Sequence, residues 1–211
     1  MKENNKLNFP ASLRLTDQSA EEGFTALTEL GDCYLSVGDH QQAQLCYDQA
    51  ADIDPDRAEP YVGIGAVAFQ NGNTDEAENA FKVALRLDRT NAKAHCGLAM
   101  IYHNAGAYTE AFDRYLKCLE QDTDNLSALL GLFQTSCQMG SFEKVTHYLE
   151  VYLSMHPDDH SVMFCVATLY MRDGKLQKAQ RALNAVLKAD SDNTDAAALL
   201  EEVEHQLAQK A

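Results

Sequence analysis

Basic residues are scarce in this 211-residue sequence. Its 17 lysines and arginines stand against 32 aspartates and glutamates, which gives a formal net charge of −15 at pH 7. Nucleic acids and anionic membrane surfaces attract cationic proteins, so this charge argues against either as the partner. A basic protein or peptide would instead be drawn towards such a surface.

Long apolar runs and cysteine pairs are also missing. The sequence has no run of about 18 apolar residues that could span a bilayer, and its first 15 residues contain no apolar core of a secretory signal. Its six cysteines form no C-x-x-C pair, which favours free thiols in a reducing compartment over a disulfide framework. We therefore expect a cytoplasmic protein that does not insert into membranes.

The short motifs that mark common active sites are absent too. There is no G-x-S-x-G elbow, no H-E-x-x-H pair and no phosphate-binding glycine loop. The many acidic residues fall mostly in turns and on outward helix faces. We therefore expect a protein that is not an enzyme and needs no cofactor.

Glycine recurs along the chain at intervals of 34 residues, five times and without an insertion. In the first unit, Gly31 and Ala43 are small enough to let two helices approach closely, while Tyr34 and Tyr47 would fill the space beside them. Pro55 ends the second helix, because its ring does not fit a helix interior. The pattern predicts helix–turn–helix units in which the recurring glycines end the first helix with positive φ. These glycines are Gly38, Gly72, Gly106, Gly140 and Gly174.

This pattern resembles the tetratricopeptide repeat, whose signature places leucine, glycine, tyrosine, alanine, an aromatic residue and proline at the offsets of Leu30, Gly31, Tyr34, Ala43, Tyr47 and Pro55. The resemblance implies an all-α fold, a right-handed superhelix of helical hairpins. Residues 19–193 are predicted to hold five repeats. An N-terminal arm, expected to be flexible, precedes them (1–18), and a capping helix follows (194–211). The repeats are predicted at 24–57, 58–91, 92–125, 126–159 and 160–193.

The fourth repeat departs from the pattern. Phe133, Val145 and Tyr152 stand where other repeats have small residues. Packed interiors tolerate added volume poorly, so we expect the two helices of this repeat to lie further apart than those of repeats two and three.

In the family that the sequence resembles, the first helix of each repeat lines a concave groove. The resemblance implies that Phe69, Met100, Leu130, Phe164 and Met171 form an apolar strip along this groove. Exposed apolar patches usually mark binding sites, and methionine adapts to partners of different shape. The predicted partner-binding residues are Asp32, Leu35, Val62, Phe69, Lys93, Met100, His103, Asn104, Leu130, Gln134, Phe164, Met171 and Arg172.

The predicted groove lacks the cluster of cations with which members of this family hold a C-terminal carboxylate. Lys93 and Arg172 are the only cations near it, and the matching positions of the first two repeats carry Thr28, Asp32, Val62 and Ala66. An apolar groove favours an extended apolar peptide or an amphipathic helix as the partner. The first functional hypothesis is therefore a protein–protein adaptor or chaperone-like module.

Two other hypotheses remain open. The chain could be a self-assembling scaffold, a homo-oligomer in which residues 1–18 dock into the groove of the next copy. It could also bind a soft metal, because Cys96, Met100 and His103 fall on one helical stripe and Cys137 falls level with His103 on the next first helix. Such ligands suit copper or zinc. Their spacing matches no known zinc motif, however, so no metal site is predicted.

Overall fold

The computed structural model describes residues 17–209, and within that range the chain is built of α-helices without any β-strand. Short turns join the helices into successive antiparallel hairpins. The helices are α1 (Asp17–Ser36), α2 (His40–Ile53), α3 (Ala58–Gln70), α4 (Thr74–Leu87), α5 (Ala92–Asn104), α6 (Tyr108–Gln121), α7 (Leu126–Met139), α8 (Glu143–Met155), α9 (His160–Arg172), α10 (Leu176–Ala189) and α11 (Thr194–Gln209).

The turn inside each hairpin contains one of the recurring glycines. All five have φ between 70° and 80°, which confirms the prediction that they end the first helix in the left-handed region. In the first hairpin, the N–H of Gly38 donates to the carbonyl oxygen of Leu35, and that of Asp39 to the carbonyl oxygen of Tyr34. A side chain at such a glycine would meet a steric penalty that glycine avoids.

A second periodic position precedes the first helices. At four of these positions, the side chain accepts a hydrogen bond of 2.9 or 3.0 Å from the backbone N–H three residues later, which caps the helix. Arg57, which precedes α3, makes no such bond. Its guanidinium lies 2.7 Å from carboxylate oxygens of Glu21 and Glu59 and 4.0 Å from the centre of the Phe24 ring. The capping residues are Asn91, Asn125, Asp159 and Asn193.

The described residues divide into two compact units, one up to residue 89 and one from residue 90 onwards. In the first, Tyr47 of α2 is buried between glycines of two hairpins, Gly31 of α1 and Gly63 of α3. A β-carbon on either glycine would lie within 2.6 Å of the tyrosine ring. Phe81 of α4 packs in the same manner against Gly65. Small residues are therefore required where the aromatic rings fill the space between helices.

The second unit contains α5 to α11. Its larger apolar cluster runs from Cys96 of α5 to Leu169 of α9. A smaller cluster joins α9 and α10 to α11, where Ala196 and Val203 are fully buried. The opposite side of α11 carries exposed acidic residues such as Glu201 and Glu202. One face of α11 thus closes the last hairpin and the other faces water.

The fourth hairpin differs from the others at its turn. The second helices α4, α6 and α10 begin at Thr74, Tyr108 and Leu176, whereas α8 begins one register position later, at Glu143, because Phe142 stays outside the helix. Phe133 is half-buried against the core, and Val145 and Tyr152 are buried within it. That α7 and α8 lie unusually far apart remains a prediction.

The N-terminal boundary needs one correction. Residues 17 and 18 were predicted to belong to the arm, but α1 already includes Asp17. A helix continues over these residues because they precede the apolar face of α1 without a proline or a turn signal. Residues 1–16, which make up the rest of the predicted arm, lie outside the described residues, as do the last two residues of the predicted capping helix.

Candidate functional site

In the first unit, the predicted partner-binding residues lie on α1 and α3. Asp32 is exposed, and its Oδ1 accepts a 2.6 Å hydrogen bond from the hydroxyl of Tyr47. Leu35 is half-buried against the small cluster that contains Tyr47, and Val62 and Phe69 are half-buried. This part of the predicted site therefore contains partly accessible apolar side chains and one exposed carboxylate.

In the second unit, four apolar residues predicted for the groove remain accessible. Met100 of α5 is 37% exposed, although its neighbours Leu98 and Ala99 are completely buried. Leu130 of α7 is half-buried, as are two residues of α9 that pack beside the smaller cluster. These accessible residues, here named the first-helix stripe, are Met100, Leu130, Phe164 and Met171.

Polar residues accompany the first-helix stripe. The Nδ1 atom of His103 lies 2.8 Å from Oγ1 of Thr135, and this contact links α5 to α7. The His103 ring also meets the Tyr108 ring edge to face, with 5.4 Å between the ring centres. The contact with Thr135 joins two neighbouring first helices, and the contact with Tyr108 joins the two helices of one hairpin. Lys93, Asn104 and Gln134 are exposed on the same helices.

The soft-ligand grouping is not brought together. Cys96 is buried, and its thiol pairs with that of Cys118 on α6. His103 faces Thr135, and residues two apart on a helix point about 200° away from each other, so Cys137 is directed elsewhere. No group of three histidine, cysteine or acidic side chains suited to a metal ion occurs within residues 17–209. The soft-metal hypothesis assumed that these side chains face one another, but the spacing of residues along a helix does not tell which side of the helix faces the core.

Two cysteines of the second unit, Cys118 and Cys165, lack the environment of a nucleophile. The hydrogen bond with Cys96, together with burial, raises the pKa of the Cys118 thiol. Burial raises the pKa of Cys165 to about 11. Since the thiolate is the reactive form, both groups are held in the unreactive state at neutral pH.

An open cavity of about 530 Å³ lies where the turn of the fourth hairpin meets that of the fifth. The Arg172 guanidinium lies flat on the Phe142 ring, 3.9 Å from its centre. Nearby, the Tyr170 hydroxyl donates to Glu150 at 2.6 Å, and burial together with this bond raises the pKa of Tyr170. The sequence analysis predicted Arg172 as a residue of the groove and did not single out Phe142. The lining residues are Gly140, Phe142, Thr146, His147, Glu150, Arg172, Asp173 and Lys175.

These features define the class of protein: a chain of helical hairpins with glycine turns, close helix contacts and an accessible stripe on the first helices. Two family profiles described as the tetratricopeptide repeat match it, over residues 24–90 and 62–125. The chain is a tetratricopeptide-repeat protein. Such repeats are protein-interaction modules, and the family is generally non-catalytic.

Several solved structures share this fold. The PilF protein of Pseudomonas aeruginosa has 21% identity and a TM-score of 0.74, covering 90% of this chain and 87% of its own. YrrB, described as a tetratricopeptide-repeat protein with an unusual peptide-binding site, has 18% identity and a TM-score of 0.61, with coverages of 81% and 88%. The first repeat domain of Spaghetti (RPAP3), bound to an HSP90 peptide, has 24% identity and a TM-score of 0.51, with coverages of 57% and 95%.

A search of curated protein sequences finds no significant match to this chain. Among the helices formed by residues 17–209, none has the length and apolar character needed to cross a membrane.

Proposed function

We propose that this chain is a non-catalytic cytoplasmic adaptor that binds an apolar peptide or an amphipathic helix along the first helices of its hairpins. The observation that carries the proposal is the first-helix stripe. Met100, Leu130, Phe164 and Met171 stay partly or fully accessible, and the residues directly before Met100 and Leu130, Ala99 and Leu129, are completely buried. The packing of the hairpins accounts for the buried neighbours but does not require apolar residues in the stripe.

The surroundings of the stripe suit a binding role. The contact between His103 and Thr135 fixes α5 against α7, so a partner would meet a surface that is already arranged, and less conformational entropy would be lost on binding. The flexible thioethers of Met100 and Met171 can adjust to the shape of the partner. The HSP90 peptide bound to Spaghetti (RPAP3) and the peptide-binding site described for YrrB show that this fold can hold peptides.

The charge of the chain narrows the class of partner. A net charge of −15 would repel an acidic segment and attract one whose polar positions are basic. Asp32 and Glu150 are exposed carboxylates in the two units. We therefore expect the preferred segment to combine apolar residues at helical or alternating spacing with lysine or arginine between them.

A peptide selection tests this proposal. Random peptides displayed on phage are selected on the immobilised chain, and the affinity of the recovered peptides is measured by isothermal titration calorimetry. We expect Met100→Ala to weaken binding at least tenfold, since truncation of a buried anchor typically costs about 2 kcal/mol. Phe164→Ala and Phe69→Ala should act in the same direction.

The matched control is Met155→Ala. Met155 is a methionine of similar exposure, 47% against 37% for Met100, but it lies at the end of a second helix. Its truncation should leave the affinity unchanged. The proposal is wrong if Met155→Ala weakens binding while Met100→Ala and Phe164→Ala bind like the parent. A shared pattern among the selected peptides supports an adaptor, whereas equal affinity for unrelated apolar sequences supports a chaperone-like role.

A further inference from the structure

One face of α1 is exposed where the equivalent faces of later first helices are buried. Leu30 is 45% exposed, whereas the residues at the same position of α7 and α9, Leu132 and Val166, are 0% and 2% exposed. In the second unit, these residues belong to a cluster that includes apolar side chains of the preceding helices α6 and α8. Among the described residues, no helix precedes α1 to cover Leu30.

A second position on α1 shows the same difference. Cys33 is exposed, although the residues at its position in α3 and α9, Val67 and Leu169, are buried. Residues three apart lie on one side of a helix, so Leu30 and Cys33 form one patch, here named the α1 face. The first hairpin thus displays apolar side chains at positions that the fold covers elsewhere.

We propose that residues 7–15 of the same chain bind the α1 face and close the first hairpin, as α11 closes the last. This segment contains four large apolar residues: Leu7, Phe9, Leu13 and Leu15. It directly precedes α1, so the loss of entropy on docking is that of a short connection. The alternative occupants, a second copy of the chain or another protein, would have to bind from solution.

The length of the segment fits the α1 face. Leu30 lies 13 residues into α1, or roughly 20 Å along the helix axis at 1.5 Å per residue. The eight residues from 9 to 16 can span up to about 26 Å when extended. A segment that folds back along α1 can therefore place Phe9 beside Leu30.

The charges of the two elements are complementary. Residues 1–16 contain three basic residues and one acidic residue: Lys2, Lys6, Arg14 and Glu3. Helix α1 contains five acidic residues and no lysine or arginine: Asp17, Glu21, Glu22, Glu29 and Asp32. Opposite charges favour the approach of the segment to α1 over its approach to an uncharged surface.

Cys33 offers a direct readout of whether the α1 face is covered. The full chain is treated with iodoacetamide, and the modification of each cysteine is followed by peptide mass spectrometry. If the segment covers the face about nine-tenths of the time, Cys33 reacts roughly tenfold more slowly than when the face is open. We therefore expect deletion of residues 2–15 to accelerate the labelling of Cys33 about tenfold.

Two controls accompany this measurement. Cys137, an exposed cysteine of the second unit, should be labelled at the same rate in every variant. The double substitution Phe9→Ser and Leu13→Ser should act like the deletion, whereas Asn8→Ser should not. Circular dichroism should show that the variants keep the helical content of the parent.

Three outcomes would overturn the proposal. An equal labelling rate of Cys33 with and without the segment would show that nothing in residues 2–15 covers it. Protection that rises with protein concentration, together with a dimer in light scattering, would show that a second copy covers the face. Protection that survives the double serine substitution would show that the apolar residues of the segment do not make the contact.

Discussion

The ring of Tyr47 occupies the space into which a side chain on Gly63 would project. A β-carbon on this glycine would lie 2.3 Å from Cε1 of the ring. Tyr47 belongs to α2 and is 1% exposed, and Gly63 belongs to α3 of the next hairpin. The contact between the first two hairpins thus depends on a large residue on one helix and the absence of a side chain on the other.

This relationship predicts that Gly63→Ala destabilises the protein. The ring cannot move away from a fully packed position without shifting a helix, so we expect a loss of about 1–3 kcal/mol in the free energy of unfolding. Gly23→Ala is the matched control, because its β-carbon would lie at an ordinary 3.7 Å from Ile53. That substitution should stabilise the protein by about 0.5–1 kcal/mol, since alanine favours the helix. Urea unfolding measures both changes, and a similar effect of the two substitutions would contradict the predicted clash.

Substitutions at two adjacent residues of α7 are expected to change the stability of the protein in opposite directions. Ser136 Oγ is buried without a hydrogen-bond partner among the described residues, whereas Thr135 Oγ1 donates to the carbonyl oxygen of Gly131 at 2.7 Å and lies 2.8 Å from His103 Nδ1. Ser136→Ala removes an unsatisfied group and should stabilise the protein by about 1 kcal/mol. Thr135→Val leaves His103 without its partner and should destabilise it by about 1–3 kcal/mol. The unfolding temperatures of the two variants and the parent test this prediction. A Ser136→Ala variant less stable than the parent would show that the Ser136 hydroxyl has a hydrogen-bond partner.

Alkaline pH should weaken the first unit through Tyr47. Burial and the hydrogen bond to Asp32 raise the pKa of Tyr47 above its usual value of 10. The unfolded chain therefore loses this proton at lower pH than the folded one, so the stabilisation is complete below about pH 10 and is lost as the pH rises further. Tyr47→Phe should cost about 1 kcal/mol at neutral pH. Above about pH 10, the Tyr47→Phe variant should lose stability less steeply than the parent. Parallel curves of unfolding free energy against pH for the two proteins would exclude this role of Tyr47.

Charges beside the first-helix stripe should affect binding less than its apolar residues do. Lys93 and Arg172 are exposed, and salt at physiological concentration screens exposed charges over about 8 Å. Lys93→Ala and Arg172→Ala should therefore weaken the binding of a selected peptide mainly at low ionic strength. Calorimetry at two salt concentrations tests this, with Met100→Ala as the variant whose effect should persist. An Arg172→Ala defect that is independent of salt would instead show that the guanidinium contacts the peptide directly.

The helical hairpins could be predicted from the sequence, because each turn requires a glycine for its local backbone conformation and the recurring glycines therefore mark the turns. Gly38 and its equivalents need positive φ whatever surrounds them. The direction of individual side chains was harder to predict. Cys96 was predicted to lie on one helical stripe with Met100 and His103, but its thiol pairs with Cys118, since a shift of one residue turns a side chain by about 100°.

The contacts of the fourth turn could not be derived from the repeat pattern. The stacking of Arg172 on Phe142 joins residues 30 positions apart, and it depends on how two turns meet. The capping residues before the helices, in contrast, could have been predicted from the sequence. Asn91, Asn125, Asp159 and Asn193 recur every 34 residues, so their spacing and their capping chemistry were both available from the sequence.

The constant spacing of the glycine turns has a mechanical consequence. Each hairpin makes its contacts mainly with its neighbours, as is general for repeat proteins, so tension applied to the two ends can separate hairpins one at a time. Each release would free 34 residues, the interval from Gly38 to Gly72, or roughly 110–120 Å of extended chain. Under tension, the protein would then lengthen in discrete steps of nearly equal size.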